Sequence, residues 1–273
     1  MSGKLYVVGT PIGNLEDMSP RAARVLDEAD FIAAEDTRVT VKLLNHFGIK
    51  KEMLSYYEHN KNSKGNLIIE RILNGESCAL VSDAGMPAIS DPGEDLVRQA
   101  HEVGICVESV PGPSALVTAL SISGMESGRF CFEGFLSVNK ISRKKHLEEV
   151  KNESRTMIFY EAPHKLPATL RDMLAVFGDR KIALVKELTK IHETVNRTTL
   201  SAAAEYYSEN TPKGEFVLII EGKKRENTEQ YSLEDAVKLA KRLIKEGKST
   251  SSAAKEAAEV SGLKKSSIYK ELI

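Results

Sequence analysis

Disulfides, zinc, membrane helices and bulk charge can be set aside before any motif is read. Cys78, Cys106 and Cys131 are odd in number, far apart and never in a C-x-x-C pair. That spacing gives no support to a disulfide scaffold or a zinc ribbon, and a reducing cytosol is the expected compartment. No stretch approaches the roughly 20 apolar residues of a bilayer-spanning helix. The opening MSGKLYVVGTPIGN has too short an apolar run for a signal peptide and no cleavage site, so a cytoplasmic protein is expected. Charge of one sign is missing as well. The 38 Lys+Arg face 39 Asp+Glu, a net of -1, which excludes coating nucleic acid by bulk charge but leaves a local basic patch open. Histidines 46, 59, 101, 146, 164 and 192 show no metal-ligand spacing, so no metal is expected. Neither G-x-G-x-x-G, nor a Walker A run, nor a G-x-S-x-G elbow occurs.

What is present is a globular composition, 41% hydrophobic and 28% charged, over 273 residues, long enough for two domains. Charge divides unevenly along it. Residues 223–273 carry 12 Lys+Arg against 8 Asp+Glu, a net of +4, which leaves -5 for residues 1–222. Short apolar runs at 5–9, 31–34, 78–82 and 105–110 read as buried strands, separated by helical patterns with start signals at Ser19-Pro20 and Asp91-Pro92. Such alternation predicts a mostly parallel sheet covered on both faces. A second strand series follows at 130–136, 156–162, 181–188 and 215–222, with 193–200 a further candidate. Two α/β domains are therefore expected, at 1–112 and 113–223. A polar linker (223–230) precedes a helical segment, 232–273, which opens on Ser232 and Asp235 as a capping box. Its helix, Ser-Gly turn and basic second helix have the outline of a helix-turn-helix, though plain surface helices share it.

Three Gly/Pro-rich loops follow predicted strands: residues 9–14, 83–93 and 111–115. In a parallel sheet all three emerge at the carboxyl edge, where ligands of open α/β sheets bind. Glycine admits close backbone approach, proline stiffens without donating, and exposed carbonyls suit a cationic ligand better than a phosphate. Glu35-Asp36-Thr37-Arg38 is the sharpest polar cluster of the first half. Arg38 is a candidate for a phosphate, and Glu35 or Asp36 for a polar contact to a ligand at the cleft edge. The alternative is an N-cap, Asp36, for a helix near Thr40. A second cluster runs from Lys186 to Glu193. There Glu187 or Lys190 is placed to take a proton or stabilise charge, against a plain solvated strand end. A dedicated base is not required where positioning suffices. Arg143, Lys144 and Lys145, with Lys264 and Lys265 of the tail, form a candidate phosphate-binding track; a solvated helix face is the alternative.

The strings LYVVGTPIGNLEDMSPRAARVL, AAEDTR, VSDAGMPAISDPG, VPGPSA, YEAPHKL, KELTKIHE and KGEFVLIIEG, in this order, resemble one family. It is the ribosomal RNA small subunit methyltransferase I family, in the tetrapyrrole methylase superfamily. The likeness covers about residues 4–222 and extends to the C-terminal helices. One departure is Ser137, where the family commonly has proline. The resemblance implies a two-domain class III methyltransferase fold with a small helical appendage, a homodimer, and S-adenosylmethionine bent between the domains. It implies methylation of a cytidine ribose 2′-hydroxyl in 16S rRNA of the small subunit, near the decoding centre. On this chain Pro11 and Ile12 would flank the cofactor. Asp83, Ala84, Gly85 and Met86, with Ile89 and Ser90, would form its main loop. Ser114 and Ala115 would follow. Phe132, Gly134, Ala162, Pro163 and Leu188 would wall the adenosine side. Alternatives are a methylase of a small tetrapyrrole or a protein side chain, and a non-catalytic RNA-binding regulator.

Overall fold

The computed structural model describes residues 3–224 and 232–273. Most of the expected linker, 225–230, lies outside the described residues. Residues 1–223 make one compact unit and 224–273 another. Among the described residues, no helix is long and apolar enough to cross a membrane.

The first half of the larger unit alternates strand and helix: β1 (Lys4–Val8), α1 (Pro20–Glu28), β2 (Phe31–Ala34), α2 (Thr37–His46), β3 (Glu52–Ser55), α3 (Lys61–Leu73), β4 (Cys78–Val81), α4 (Gly93–Glu102) and β5 (Cys106–Val110). All pairings are parallel, in the order β3-β2-β4-β1-β5. β2 and β4 are buried at every position, as strands covered on both faces must be. Period-2 alternation sorts their side chains. Ile32, Ala34, Ala79 and Val81 pack towards α1 and α2. Phe31, Ala33, Cys78 and Leu80 pack towards α3 and α4. Ser19 caps α1 as expected, its hydroxyl accepting from Ala22 N with Pro20 at the first position. The second device lies one residue on. Asp91 Oδ1 accepts from Ala88 N and Gly93 N, and α4 starts at Gly93.

The second half holds α5 (Ala115–Ser123), β6 (Phe130–Phe135), α6 (Lys140–Val150), β7 (Thr156–Glu161), α7 (Leu166–Phe177), β8 (Lys181–Lys186), β9 (Thr194–Thr199), α8 (Leu200–Glu209) and β10 (Phe216–Ile220). Its order is β6-β7-β10-β8-β9, and it differs from the first sheet: only β6 and β7 run parallel, and the other pairings are antiparallel. The physical reason is in the connections. β8 and β9 are joined by a short loop, which cannot make the long crossover parallel neighbours need. Alternation again sorts the faces. Ile158, Ala183, Val185, Val217 and Ile219 meet α5, whereas Met157, Phe159, Leu184 and Leu218 meet α6, α7 and α8. Ile12, from the loop after β1, is buried in the α5-side cluster of this second sheet, tying the halves together.

The smaller unit contains α9 (Leu233–Lys245), α10 (Thr250–Ser261) and α11 (Lys265–Lys270) around Ala236, Ala240, Leu243, Ala253, Ala257 and Ile268. Ser232 caps α9, accepting from Asp235 N at 3.1 Å and donating to the Asp235 carboxylate. Gly262, at φ +70°, ends α10 and turns the chain into α11.

Candidate active site

β4, β1 and β5 are neighbours in the first sheet, so the loops leaving their carboxyl ends meet. Thr10 N donates to Gly85 O at 2.9 Å, and Gly85 N donates to Thr10 O at 3.1 Å. A Cβ on Gly9 would lie 2.6 Å from Gly112 Cα and from Met86 Sδ, so two loops cross at a spacing that excludes any side chain. Gly85 sits at φ +85°, a region that favours glycine.

These loops form one wall of a cleft of about 510 Å³; its other wall is the adjoining end of the second sheet. Ile12, Asp83, Ala84, Gly85, Met86, Ile89, Ser90, Ser114 and Ala115 line it, as expected, and so do Ala162, Pro163, Leu188 and Glu35. Pro11, Phe132 and Gly134 are not among its lining. Pro11 lies between Thr10 and Ile12. Phe132 backs Tyr160, with ring centroids 4.9 Å apart. Gly134, at φ +64° in the bulge of β6, brings its backbone against Ser90: a Cβ there would be 3.3 Å from Ser90 Oγ.

Lining residues that sequence reasoning did not assign include Phe135, Tyr160, Val185, Glu215, Phe216 and Val217. Tyr160 and Glu161 do stand in the YEAP string, which was a usable signal. Phe135 comes from the end of β6, which runs parallel to β7, whereas Val185, Glu215, Phe216 and Val217 reach the cleft through the antiparallel order that brings the start of β10 beside the ends of β7 and β8. Glu161, 2% exposed, is fully engaged at the floor, where Thr169 Oγ1 donates to Oε2 at 2.5 Å and Ala162 N to Oε1 at 2.9 Å. Burial pushes the Tyr160 phenol up.

Strain gathers here too. Ala88 (φ +66°), Ser90 (+68°), Glu187 (+53°) and Thr189 (+62°) are the non-glycine residues at positive φ among those described, and all lie in two cleft loops. Each costs about 1–2 kcal/mol in an L-residue. Hydrogen bonds hold three of them there: Asp91 takes the Ala88 amide, Glu187 Oε1 takes Glu215 N at 3.0 Å, and Glu193 takes Thr189 N at 2.6 Å. Conformations of this kind persist where surrounding structure over-determines them, commonly at functional sites.

The acidic wall is a carboxylate pair. Glu35 follows β2 and Asp83 follows β4, strands paired in parallel, so the two stand side by side. Asp36 N donates to Asp83 Oδ1 at 3.0 Å and Asp83 N to Glu35 Oε2 at 3.4 Å. Burial, and then the Asp83 charge, raises the pKa of half-buried Glu35. Asp83 is more open to solvent, and partial burial raises its pKa as well. A cleft with two unneutralised carboxylates on one wall and Tyr160, Phe216 and Leu188 on the other suits a ligand that is cationic at one end and flat and apolar at the other.

The remaining expected residues have other employment. Asp36 caps α2, accepting from Arg38 N at 2.8 Å, and its carboxylate is gripped by the Arg38 guanidinium at 2.7 Å. Arg38 thereby holds the Asp36 pKa down at about 2, so Asp36 is a poor proton acceptor. Glu187 accepts from Glu215 N and from Lys190 Nζ (3.1 Å), and Lys190 also reaches Glu215 at 2.8 Å. Glu187 is lowered by the Glu215 amide and Lys190 raised by the Glu215 carboxylate, the reverse of what a base needs. Both lie off the lining and brace the Leu188 turn, which packs on Gly13. Arg143 is also corrected. It is 8% exposed, turned inward to Asp172 (2.7 Å) and the carbonyls of Ser137 and Val138, because α6 presents it to α7. Ser137, the departure noted above, accepts Asn139 N on its hydroxyl and so shapes that turn without proline. Lys144, Lys145, Lys264 and Lys265 are exposed, with Lys265 Nζ donating to Ser251 Oγ. Among the described residues no His/Cys/Asp/Glu group is arranged to hold a metal ion.

Residues 4–204 match the family of tetrapyrrole (corrin/porphyrin) methylases. A relative from Synechocystis sp., ribosomal RNA small subunit methyltransferase I, is 45% identical over 98% of this chain and 96% of its own. The protein of the same name from Halalkalibacterium halodurans is 54% identical over 81% of this chain and 76% of its own. The chain belongs to the tetrapyrrole methylase family, in its ribosomal RNA small subunit methyltransferase I group. Solved structures agree on the fold. Diphthine synthase superposes with a TM-score of 0.62 at 15% identity, covering 81% of this chain and 90% of its own. A uroporphyrin-III C-methyltransferase from Thermus thermophilus, complexed with S-adenyl homocysteine, gives 0.57 at 20% identity, covering 81% and 98%. Membership explains why the three Gly/Pro loops and the strained turns frame one cleft.

Proposed function

We propose that the protein transfers a methyl group from S-adenosylmethionine to the 2′-hydroxyl of a cytidine ribose in 16S rRNA of the small ribosomal subunit, in the cytoplasm. The observation that carries this reading is the 45% identity with a ribosomal RNA small subunit methyltransferase I along almost the whole chain, C-terminal helices included. The cleft supports it by fit. Gly85 leaves room that a Cβ would fill beside Ile12 and Pro113, and the acid-plus-apolar lining matches a sulfonium and amino group joined to an adenine. Bound there, the donor supplies an electrophilic methyl on a positively charged sulfur. The chain's own residues do the rest. Ala84–Met86 and Ser114–Ala115 orient it by backbone contact, Leu188, Ala162 and Pro163 exclude water from the adenine side, and Glu35 and Asp83 complement the charge.

In this reading RNA is drawn by exposed lysines, Lys144 and Lys145 on α6 and Lys264 and Lys265 on the smaller unit, with Arg38 beside the cleft as a further phosphate contact. The α/β halves 1–112 and 113–223 act as the two jaws, and the enzyme works as a homodimer, which sedimentation would show as twice the chain mass. The test of function is methyl-labelled donor with small subunits lacking the modification, alongside a tetrapyrrole and a protein acceptor. Label is expected in the RNA alone; label elsewhere, or nowhere, overturns the reading.

A further inference from the structure

We propose that Glu35, locked against Asp83 at the cleft wall, is the catalytic residue that receives the proton of the ribose hydroxyl during methyl transfer. This rests on the RNA methyl-transfer reading above and names the group that reading leaves open. Geometry separates the acidic side chains at the cleft: Glu215 is paired with Lys190, and Asp91 Oδ1 takes the Ala88 and Gly93 amides. Asp36 is tied up by Arg38 and by its own helix cap. Glu161 is closed off by Thr169 and Ala162 N. Glu187 is spent on Glu215 N and Lys190. Glu35 lines the cleft, and neither it nor Asp83 has an ion-pair partner among the described residues. Its Oε2 takes the Asp83 amide at 3.4 Å, and Oε1 has no hydrogen-bond partner among the described residues, which leaves it for the proton.

The charged groups facing Glu35 come from three elements: Asp83 and Asp91 of the loop after β4, Asp36 at the cap of α2, and Arg38 of α2, whose guanidinium is engaged with Asp36. Partial burial first, and then the charges of Asp83, Asp91 and Asp36, make Glu35 a stronger base than a free carboxylate, the direction a proton acceptor near neutral pH needs. Asp83 is then a positioning residue, whose charge lifts Glu35 and whose Oδ1 holds Asp36 N. The step balances. The ribose oxygen bonds to the methyl carbon, the carbon–sulfur bond breaks with its electron pair left on sulfur, and the hydroxyl proton passes to Glu35. The products are a methyl ether, a neutral thioether and a protonated carboxyl.

Glu35→Gln keeps the acceptor for Asp83 N and removes the basicity together with one of the two charges that face the donor. General-base loss of this kind lowers kcat at saturating donor by about 100-fold or more, with KM for RNA within about threefold of the parent; donor affinity falls only by what the lost charge contributes, and Asp83→Asn, which removes the other charge facing the donor, gives the calorimetric size of that loss. The parent's kcat should rise with pH through an inflection above the usual carboxylate range, the variant's should be flat, and Asp83→Asn should move the inflection to lower pH by removing a like charge. A readout without substrate runs in parallel. If the Glu35 pKa is raised by folding, the ionised carboxylate costs stability above its unfolded value near 4.3, so Glu35→Gln melts higher than the parent at pH 7 and the gap closes below about pH 4. An E35Q enzyme with parental kcat, or one whose loss lies wholly in donor affinity, overturns the proposal while the RNA reading stands. A parent that transfers no methyl to RNA overturns both.

Discussion

Placing a branched side chain at Gly85 tests whether the cleft loop holds its ligand through close backbone approach. Gly85 has φ +85°, and a Cβ there would stand 3.3 Å from Ile12 Cγ2 and 3.4 Å from Pro113 O. The left-handed backbone alone costs an L-residue about 1–2 kcal/mol, and a β-branched one sits at the upper end. Moving the loop away to relieve the contact endangers the paired bonds between Thr10 and Gly85, worth about 1 kcal/mol net each. A variant loop displaced from Ile12 and Pro113 to relieve this contact would have to return for the ligand to bind by close backbone approach, and that share of the cost falls on affinity. A total of about 2–3 kcal/mol weakens Kd by roughly 30- to 100-fold at 1.4 kcal/mol per decade. Gly85→Val should show that loss for S-adenosylmethionine in titration calorimetry, and Gly85→Ala roughly a tenfold one. Folded variants that bind as tightly as the parent would refute both the geometry and the site.

Four shorter tests follow. Arg143→Met leaves the half-buried Asp172 without its partner and should cost about 2–3 kcal/mol, read as a fall in Tm, with no change in the salt slope of RNA binding specific to a lost phosphate contact. Asp36 has its pKa depressed to about 2, so its stabilising contribution is present above the ordinary carboxylate range and is lost as pH falls towards 2; Asp36→Ala should therefore lower Tm at neutral pH and merge with the parent in strong acid. Donor binding should survive excess chelator, because the described residues offer no metal-holding group; loss of binding on chelation counts against the cleft as described. A chain ending at Lys223 should retain donor affinity but bind ribosomal particles more weakly and with a flatter salt dependence, since the removed residues carry the positive charge.

The parallel first sheet was legible because FIAA and CALV are apolar throughout, a pattern that buried parallel strands require. β3 was not legible: EMLS is only partly buried at the sheet edge and carries no such run. The antiparallel second sheet escaped for a different reason. KIALVK and FVLII look the same whichever way their neighbours run, and only the connections decide direction. That topology places Val185, Phe216 and Val217 in the cleft, so those residues were invisible even though the Gly/Pro loops were plain. Glu187, Lys190 and Arg143 had the right chemistry in the right strings. What local pattern cannot report is whether a charge is already paired, and here Glu215 and Asp172 occupy them.

Nucleoside analysis of the labelled product tests the central claim most directly. Small subunits lacking the modification, incubated with the protein and methyl-labelled donor, are digested to nucleosides and separated with mass detection. The account predicts one labelled species, 2′-O-methylcytidine, from 16S rRNA. Label on a base, on another nucleoside or in ribosomal protein would contradict it.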